Sequence, residues 1–377
     1  MEPKIRFKGF EGEWKTSTIG EIAPLQRGYD LPTNNVISGT IPVVYSNGIL
    51  RFHNEGKCQA PAIITGRSGT IGKFTYIDHG EYWPHNTSLW VTTFHKNYPR
   101  FVYYFFQNVG FEKYATGSGV PTLNRNDIHK HIESIPSNKE EQQAIASYFT
   151  TLDSQISAST SRLASLKQMK AASLQAMFPQ EGETVPKIRF KGFKGEWKKV
   201  KADSIFKTFN EKNRPDLPVL SATQDRGMVT RESIGYNIFH DTSNETTYKH
   251  ILPGQFVIHL RSFQGGFAHS EIEGIASPAY TIIGFKNKDL YHDYYWRYVF
   301  MSKEFIKRLE LITYGIRDGR SISYDEFKEM SFLVPSKEEQ IKIASYLKNL
   351  DRQISLQSQR LEKLKQIKSA CLDKMFV

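Results

Sequence analysis

The chain has 377 residues, enough for two domains of ordinary size, and its 39% hydrophobic and 24% charged residues are typical of a folded protein. Its formal net charge of +11 favours a polyanionic partner, because binding to phosphates releases their counterions. Two distant cysteines and the lack of an apolar stretch of about 20 residues exclude a disulfide scaffold and a membrane span, and predict a cytoplasmic protein.

Two sequence motifs occur twice. PKIRFKGFEGEW at 3–14 returns as PKIRFKGFKGEW at 186–197, and KEEQQAIASYFTTLDSQIS at 139–157 returns as KEEQIKIASYLKNLDRQIS at 337–355. Residues 139–178 and 337–376 share 23 identities in 40 positions. The segments between the motifs, roughly 15–135 and 198–334, have diverged, so the chain follows one plan twice.

The diverged segments contain Gly and Pro turns between short apolar runs, a pattern that predicts strands. The predicted strands are Ile41–Tyr45, Ala62–Thr65, Leu89–Thr93, Gln255–Leu260 and Tyr280–Gly284. Aromatic-rich runs at Tyr103–Gln107 and Tyr294–Met301 predict helices whose rings pack in a core rather than stack on bases. The pairs Tyr103-Tyr104 and Tyr294-Tyr295 are interpreted as equivalent.

Both repeated segments that begin with KEEQ are predicted to be long helices. Ser137 with Glu140, and Ser336 with Glu339, fit the Ser-x-x-Glu capping box of a helix start. Forty helical residues would span about 60 Å, too long to be buried in one globule. A narrow apolar stripe predicts that each helix packs on a partner helix, most simply the other copy, as a coiled coil. The predicted partner-binding residues are Ile145, Phe149, Leu152, Ile156, Leu163, Ile343, Leu347, Leu350, Ile354 and Leu361.

The predicted fold class is α/β, with two globular domains separated by two long antiparallel helices in a pseudo-two-fold arrangement. The predicted segments are 1–135 and 181–334 for the domains, and 136–180 and 335–377 for the helices. A helical strut between two domains, in a chain with a net charge of +11, suits duplex DNA, which repeats about every 34 Å. Because the domains have diverged while the helices have not, we expect a two-part, asymmetric target.

Candidate DNA contacts lie in loops that follow predicted strands. Arg67-Ser68-x-x-x-Gly72 recurs as Arg261-Ser262-x-x-x-Gly266, and a nucleotide-binding P-loop is excluded because five residues, not four, separate Gly66 from Gly72. An ordinary turn with solvated charges is the alternative at each position. The predicted DNA-binding residues are Arg67, Ser68, Lys73, Asn86, Thr87, Thr122, Asn124, Arg125, Arg261, Ser262, Gln264, Arg317 and Arg320.

Together, the repeated openings, the Arg-Ser-x-x-x-Gly segments and the KEEQ helix starts resemble the specificity subunit of Type I restriction-modification systems over the whole chain. The resemblance implies two target-recognition domains, each reading half of a bipartite sequence in double-stranded DNA. It also implies that the helices set the spacer and dock two modification subunits, with restriction subunits in the full complex. S-adenosylmethionine, ATP and Mg²⁺ would then belong to partner subunits, and this chain would bind no cofactor.

No motif for methyl transfer, nucleotide hydrolysis or metal binding is evident in the sequence, so we expect no catalytic residues and no metal site. His129 and His131, which flank Lys130, are interpreted as surface residues. Two alternatives stay open. One is a freestanding coiled-coil DNA-binding or assembly protein without a methyltransferase partner, and the other is a self-contained enzyme.

Overall fold

The structure, a computed structural model, describes residues 2–117, 119–223, 226–234, 242–258, 266–312 and 323–377. The chain divides into two compact units, one formed by Met1–Ser161 with Gln359–Val377 and the other by Arg162–Ser358. Each unit therefore holds one globular domain, the beginning of one long helix and the end of the other. This division cuts across the four consecutive segments predicted from the sequence, because both helices are shared between the units.

The first unit contains a mixed α/β domain. Its helices are α1 (Ile19–Ile22), α2 (Pro99–Val109), α3 (Arg125–His129) and the first part of α4 (Lys139–Ala176). Its strands are β1 (Lys15–Thr18), β2 (Leu25–Arg27), β3 (Ile41–Tyr45), β4 (Gly48–His53), β5 (Cys58–Gln59), β6 (Ala62–Gly66), β7 (Phe74–Ile77), β8 (Glu81–Pro84), β9 (Ser88–Val91), β10 (Ala115–Thr116), β11 (Thr122–Leu123) and β12 (Ile132–Ile135).

Two four-stranded sheets form the body of this domain, in the orders β2-β9-β6-β7 and β4-β3-β8-β5. Every residue of β6 is buried, because alternate side chains face opposite layers. Ile63 belongs to the core that contains the aromatic residues of α2, whereas Ile64 packs with Val44 and Tyr82 of the second sheet. The strand β1 pairs with β12, which ends just before α4 begins.

The second unit also contains a mixed α/β domain. Its helices are α5 (Ala202–Ile205), α6 (Asp293–Met301), α7 (Lys303–Ile312), α8 (Tyr324–Glu329) and the first part of α9 (Lys337–Met375). Its strands are β13 (Lys198–Lys201), β14 (Phe206–Phe209), β15 (Leu220–Thr223), β16 (Gly227–Thr230), β17 (Lys249–Ile251), β18 (Phe256–Ile258), β19 (Phe267–His269), β20 (Gly274–Ala276), β21 (Thr281–Phe285) and β22 (Ser331–Val334).

One sheet of the second unit, in the order β14-β21-β18-β19, repeats the topology of β2-β9-β6-β7. The alternation of side chains also repeats, since Phe256 and Ile258 face the aromatic core of α6, while Val257 joins a separate cluster with Leu220 and Met228. The other described strands form the ladders β13-β22, β15-β16 and β17-β20. The sheet that packs on the aromatic helix is therefore shared by both copies, as is the two-stranded ladder before the long helix, β1-β12 or β13-β22.

The predicted strands and helices are confirmed over the described residues, but the capping box of the first long helix is wrong. Asn138, not Ser137, caps α4, since its Oδ1 accepts from the backbone N–H of Glu140 at 2.8 Å. Ser336 does accept from the N–H of Glu339 at 3.4 Å. The Glu339 carboxylate, however, pairs with an arginine instead of completing the box.

The interpretation of Tyr103-Tyr104 and Tyr294-Tyr295 as equivalent pairs is also wrong. The Tyr104 hydroxyl donates to Asp153 Oδ2 at 2.9 Å, and in the second unit it is Tyr298 that donates to Asp351 Oδ2, at 2.7 Å. Asp153 and Asp351 occupy the same position of the repeated helix motif. Tyr104 and Tyr298 are therefore the equivalent residues.

Within each unit, the two helix segments run antiparallel. In the first unit, Tyr148 contacts Cys371 and, further along, Asp153 pairs with Lys368. In the second unit, Lys170 pairs with Asp351. The apolar stripe faces inward: Ile145, Phe149, Leu152, Ile343, Leu347, Leu350 and Leu361 are buried, and Ile156, Leu163 and Ile354 are half-buried.

The chain itself covers most of this stripe. Phe149 packs on Tyr104 and on Phe376 at the end of the chain, and Leu347 shares a core with Phe178, which follows α4. These side chains pack against the long helix of the other repeat in the same chain and against the globular domain.

Candidate nucleic-acid interface

A concavity of about 680 Å³ lies on the first unit, where the ends of β2, β6 and β11 meet the start of α3. It brings together four residues predicted from the sequence, Arg67, Thr122, Asn124 and Arg125. The full lining is Gln26, Arg27, Gly28, Tyr29, Asp30, Arg67, Leu89, Thr122, Leu123, Asn124 and Arg125. Three guanidinium groups against one carboxylate make this concavity basic, which suits a phosphate backbone.

The loop after β6 carries Arg67 and is fixed from two sides. The backbone N–H of Arg67 donates to the carbonyl of Thr87 at 2.9 Å, and its carbonyl accepts from Leu123 N at 2.8 Å. Ser68 forms a β-bridge with Thr122. A side chain at position 66 would collide with the carbonyl of Thr70, so the glycine there is what closes the loop. These contacts hold Arg67 beside the last loop of the domain.

Thr87 and Lys73 lie at the side of this cluster, and neither lines the concavity. The Thr87 hydroxyl accepts from Ser46 N at 3.3 Å and pairs with His85 Nδ1 at 3.0 Å, so it is engaged within the chain. Burial lowers the pKa of His85, which favours the neutral ring. The exposed Lys73 ammonium donates to the carbonyl of Asn47 at 3.4 Å, in the turn between β3 and β4.

The start of α3 presents Arg125 at the other wall. Asn124 Oδ1 accepts from Asn126 N at 3.0 Å and caps the helix, so part of this predicted DNA contact has a structural role. At the far end of α3, His129 Nε2 accepts from Leu25 N at 2.8 Å. Burial, and then the charge of Arg125, lower the pKa of His129. The interpretation of His129 as a surface residue is wrong, because this half-buried ring ties α3 to β2.

The sequence reasoning misses Arg27, Tyr29 and Asp30, which line the same concavity. An Arg27 guanidinium nitrogen donates to Asp30 Oδ1 at 3.0 Å, and Asn86 Nδ2 donates to the same oxygen. Asn86, itself a predicted contact, is thereby connected to the concavity. In the sequence, these residues are marked only by two opposite charges, Arg27 and Asp30, after a short apolar run. The segment around Arg27 does not recur in the second half, so repetition does not single it out.

Five predicted contacts of the second unit lie outside the described residues: Arg261, Ser262, Gln264, Arg317 and Arg320. One element next to each group has a counterpart in the first unit. The strand β18 corresponds to β6, and the helix α8 is capped by Ser323, whose hydroxyl accepts from Asp325 N at 3.2 Å. These elements correspond to the ones that position Arg67 and Asn124 in the first unit.

Metal-binding side chains are not grouped in the part of the chain that the structure describes, where no three His, Cys, Asp or Glu residues are placed to hold an ion. Across those same ranges, no helix is both long enough and apolar enough to pass through a bilayer.

Comparison with known proteins agrees with this duplicated arrangement. A family model described as "Type I restriction modification DNA specificity domain" matches residues 11–168 and again residues 194–366, so each match spans one globular domain and most of the following helix. The duplicated fold and this family match thus define a duplicated DNA-recognition protein. The chain belongs to the Type I restriction-modification DNA-specificity family.

Solved structures show the same fold. The Type I restriction-modification S subunit from M. genitalium has a TM-score of 0.67 at 15% identity, covering 100% of this chain and 99% of that one. A chain from a study of complex assembly and conformational transition of the type I R-M system has a TM-score of 0.51 at 14% identity, covering 97% and 98%. None of the curated proteins is significantly similar in sequence.

Proposed function

We propose that this chain directs a Type I restriction-modification complex to a bipartite, asymmetric DNA sequence, with each α/β domain reading one half. The observation that carries the proposal is the concavity of the first unit, where Arg27, Arg67 and Arg125 converge at the ends of strands. Side chains of this kind bind phosphates and, in a groove, the edge of guanine. The family match to both halves of the chain supports an equivalent role for the second domain.

The partners in this proposal are two modification subunits and, in the full complex, restriction subunits. Catalysis would belong to those subunits, which would bind S-adenosylmethionine, ATP and Mg²⁺, and this chain would remain non-catalytic. The outer faces of α4 and α9 are suited to docking, because the apolar stripes of these helices are already covered by the chain itself. The complex would act on cellular DNA in the cytoplasm.

A domain exchange tests the proposal. Residues 15–135 are replaced by the corresponding segment of another family member, and the chimera is expressed with its modification subunits in a host whose DNA is then sequenced for methylated adenine. We expect one half of the methylated sequence to change and the other half to stay. The reciprocal exchange of residues 198–334 is the matched control and should change only the other half.

Two outcomes would overturn the proposal. The first is a methylated sequence that stays the same after both exchanges. The second is a wild-type chain that never co-purifies with a modification subunit and binds DNA without sequence preference, which would favour the freestanding coiled-coil protein. Methyl transfer by the purified chain alone would instead favour a self-contained enzyme.

A further inference from the structure

Asp30 is an unexpected residue in a concavity suited to phosphates. Its carboxylate is 65% exposed at the edge of a surface that contains three arginines. An exposed carboxylate repels the phosphate backbone, and so weakens binding to any DNA sequence. Its position is explained if it acts on a base or on a residue that reads one.

The Asp30 carboxylate fixes the orientation of the Asn86 side chain. An ionised carboxylate only accepts hydrogen bonds, so the amide of Asn86 must turn its Nδ2 towards Asp30. The backbone carbonyl of Asn86 also accepts from a guanidinium nitrogen of Arg67, at 3.4 Å. Both the main chain and the side chain of Asn86 are therefore held in place before any ligand binds.

This orientation leaves an amide edge available. One N–H of the Asn86 amide donates to Asp30, while among the described residues the second N–H has no acceptor and Oδ1 has no donor. When the N–H trans to Oδ1 is the one that donates to Asp30, the N–H on the Oδ1 side and the carbonyl oxygen together match the N7 acceptor and the N6 amino donor that adenine presents in the major groove. The side-chain contact between Asn86 and Asp30 is exposed, so the amide can be reached from the solvent.

We propose that Asn86 reads one adenine of the half-target bound by the first domain, and that Asp30 is the positioning residue that holds its amide for this contact. The Asn86 N–H donates to adenine N7, and Oδ1 accepts from adenine N6. The inference rests on the proposed function, since it requires that the first domain reads DNA. It adds a specific base and two residues with distinct roles.

A merely structural Asp30–Asn86 pair makes a different prediction. If the two residues only stabilise the loop, their loss lowers binding to all DNA sequences by the same factor. If Asn86 reads adenine, its loss removes discrimination at one base pair and leaves the other positions unchanged.

The experiment uses the full chain assembled with its modification subunits and a DNA library randomised over the half-target of the first domain. Methylation of each library member is measured for the wild type, Asn86→Ala and Asp30→Ala. We expect Asn86→Ala to lower discrimination by about 5- to 150-fold at one A·T position, because a bidentate contact contributes roughly 1–3 kcal/mol. Asp30→Ala should also lower discrimination at this base pair, by a smaller factor.

The matched control is Asp78→Ala, which removes an exposed carboxylate of the same domain that pairs with Arg100 at 3.2 Å. This variant should leave discrimination unchanged at every base pair. For every variant, unchanged discrimination in the second half-target shows that the chain is folded and assembled with its modification subunits. Equal losses on all library members, or undiminished discrimination in Asn86→Ala, would overturn the inference. A wild-type complex with no preference in either half would instead overturn the proposed function.

Discussion

Arg6 holds Glu141 through two hydrogen bonds, with Nε at 2.7 Å from Oε1 and a terminal nitrogen at 2.9 Å from Oε2. In the second unit, Arg189 holds Glu339 in the same way, at 2.7 Å for both contacts. Each arginine comes from the repeated PKIRFKGF opening, and each glutamate comes from the repeated KEEQ helix start. The two repeated motifs are thus the two sides of one joint, which fixes the start of a long helix to the start of its domain.

Replacing Arg6 with alanine should destabilise the first unit by about 3 kcal/mol, because it leaves a buried carboxylate without its partner. Glu141 is only 1% exposed, and without Arg6 it would keep only the longer hydrogen bond from Trp14 Nε1, at 3.3 Å, among its side-chain contacts with the described residues. The measurement is urea unfolding of the full chain, followed by near-ultraviolet circular dichroism. Lys4→Ala removes the same charge from an exposed position two residues away and should have little effect. Equal stability of the two variants would contradict the role of the joint.

A second joint links the antiparallel helix segments to the domain. Asp153 accepts from the Tyr104 hydroxyl and pairs with Lys368 at 2.6 Å, and Asp351 does the same with Tyr298 and Lys170, also at 2.6 Å. Burial, and then the neighbouring carboxylate, raise the pKa of Tyr104, so its hydroxyl stays protonated and donates.

A double-mutant cycle tests this joint. Asp153→Asn and Lys368→Gln should each destabilise the first unit, and the double variant should lose about 1 kcal/mol less than the sum of the single losses. The same cycle on Asp351 and Lys170 is the matched control for the second unit. Additive losses in both cycles would show that these two ion pairs contribute no coupling energy between the helices.

Much of the architecture follows from local sequence patterns, because helices and strands are set by the spacing of nearby residues. The long helices begin and end within four residues of their predicted bounds, and β3 has the bounds predicted for it. The partners of Arg6 and Asp153 could not be predicted, since these contacts join residues 135 and 49 positions apart. Repetition marks both motifs as constrained, but it does not show that they bind each other.

The concavity is only partly predictable for a related reason. The frame that recurs in both domains identifies Arg67, whereas Arg27 and Asp30 lie in a segment that has diverged. The capping prediction at Ser137 fails because Asn138, one position later, competes for the same backbone N–H groups. The role of His129 is hidden from the sequence because it depends on Leu25, 104 positions away in the chain.

The link from His129 to Leu25 should make the first unit sensitive to acid. His129 accepts a hydrogen bond, so the fold favours its neutral form, and its pKa is lowered from the usual value of about 6.5. A lowered histidine pKa means that the folded state binds fewer protons than the unfolded state. The stabilisation is therefore complete above about pH 6.5 and is lost as the pH falls through the lowered pKa.

The measurement is the unfolding midpoint of the first unit between about pH 8 and pH 5. The wild type should lose stability on acidification, and His129→Gln, which keeps an acceptor but cannot titrate, should lose less. Part of the dependence will remain, because His85 also has a lowered pKa. His79→Gln, at an exposed position, is the control and should follow the wild type. If His129→Gln had the same pH profile as the wild type, His129 would not be a cause of the acid sensitivity.

Insertions at the boundary between the two units test whether the length of the long helices sets the distance between the two half-sequences. Insertions of one heptad after Ser161 in α4 and after Ser358 in α9 fall where the chain passes from one unit to the other. They leave the second joint of each unit intact, since the ion pairs of Asp153 and Asp351 each lie within one unit.

Seven inserted residues add about 10 Å of helix, close to the rise of about three base pairs. We therefore expect the spacer between the two methylated half-sequences to lengthen by about three base pairs, with both halves unchanged. Sequencing of methylated adenine in the host genome measures this spacer. Insertion into α4 alone is the control and should abolish methylation, because the two helices would then differ in length. A constant spacer in the doubly lengthened chain would show that the helices do not measure the distance.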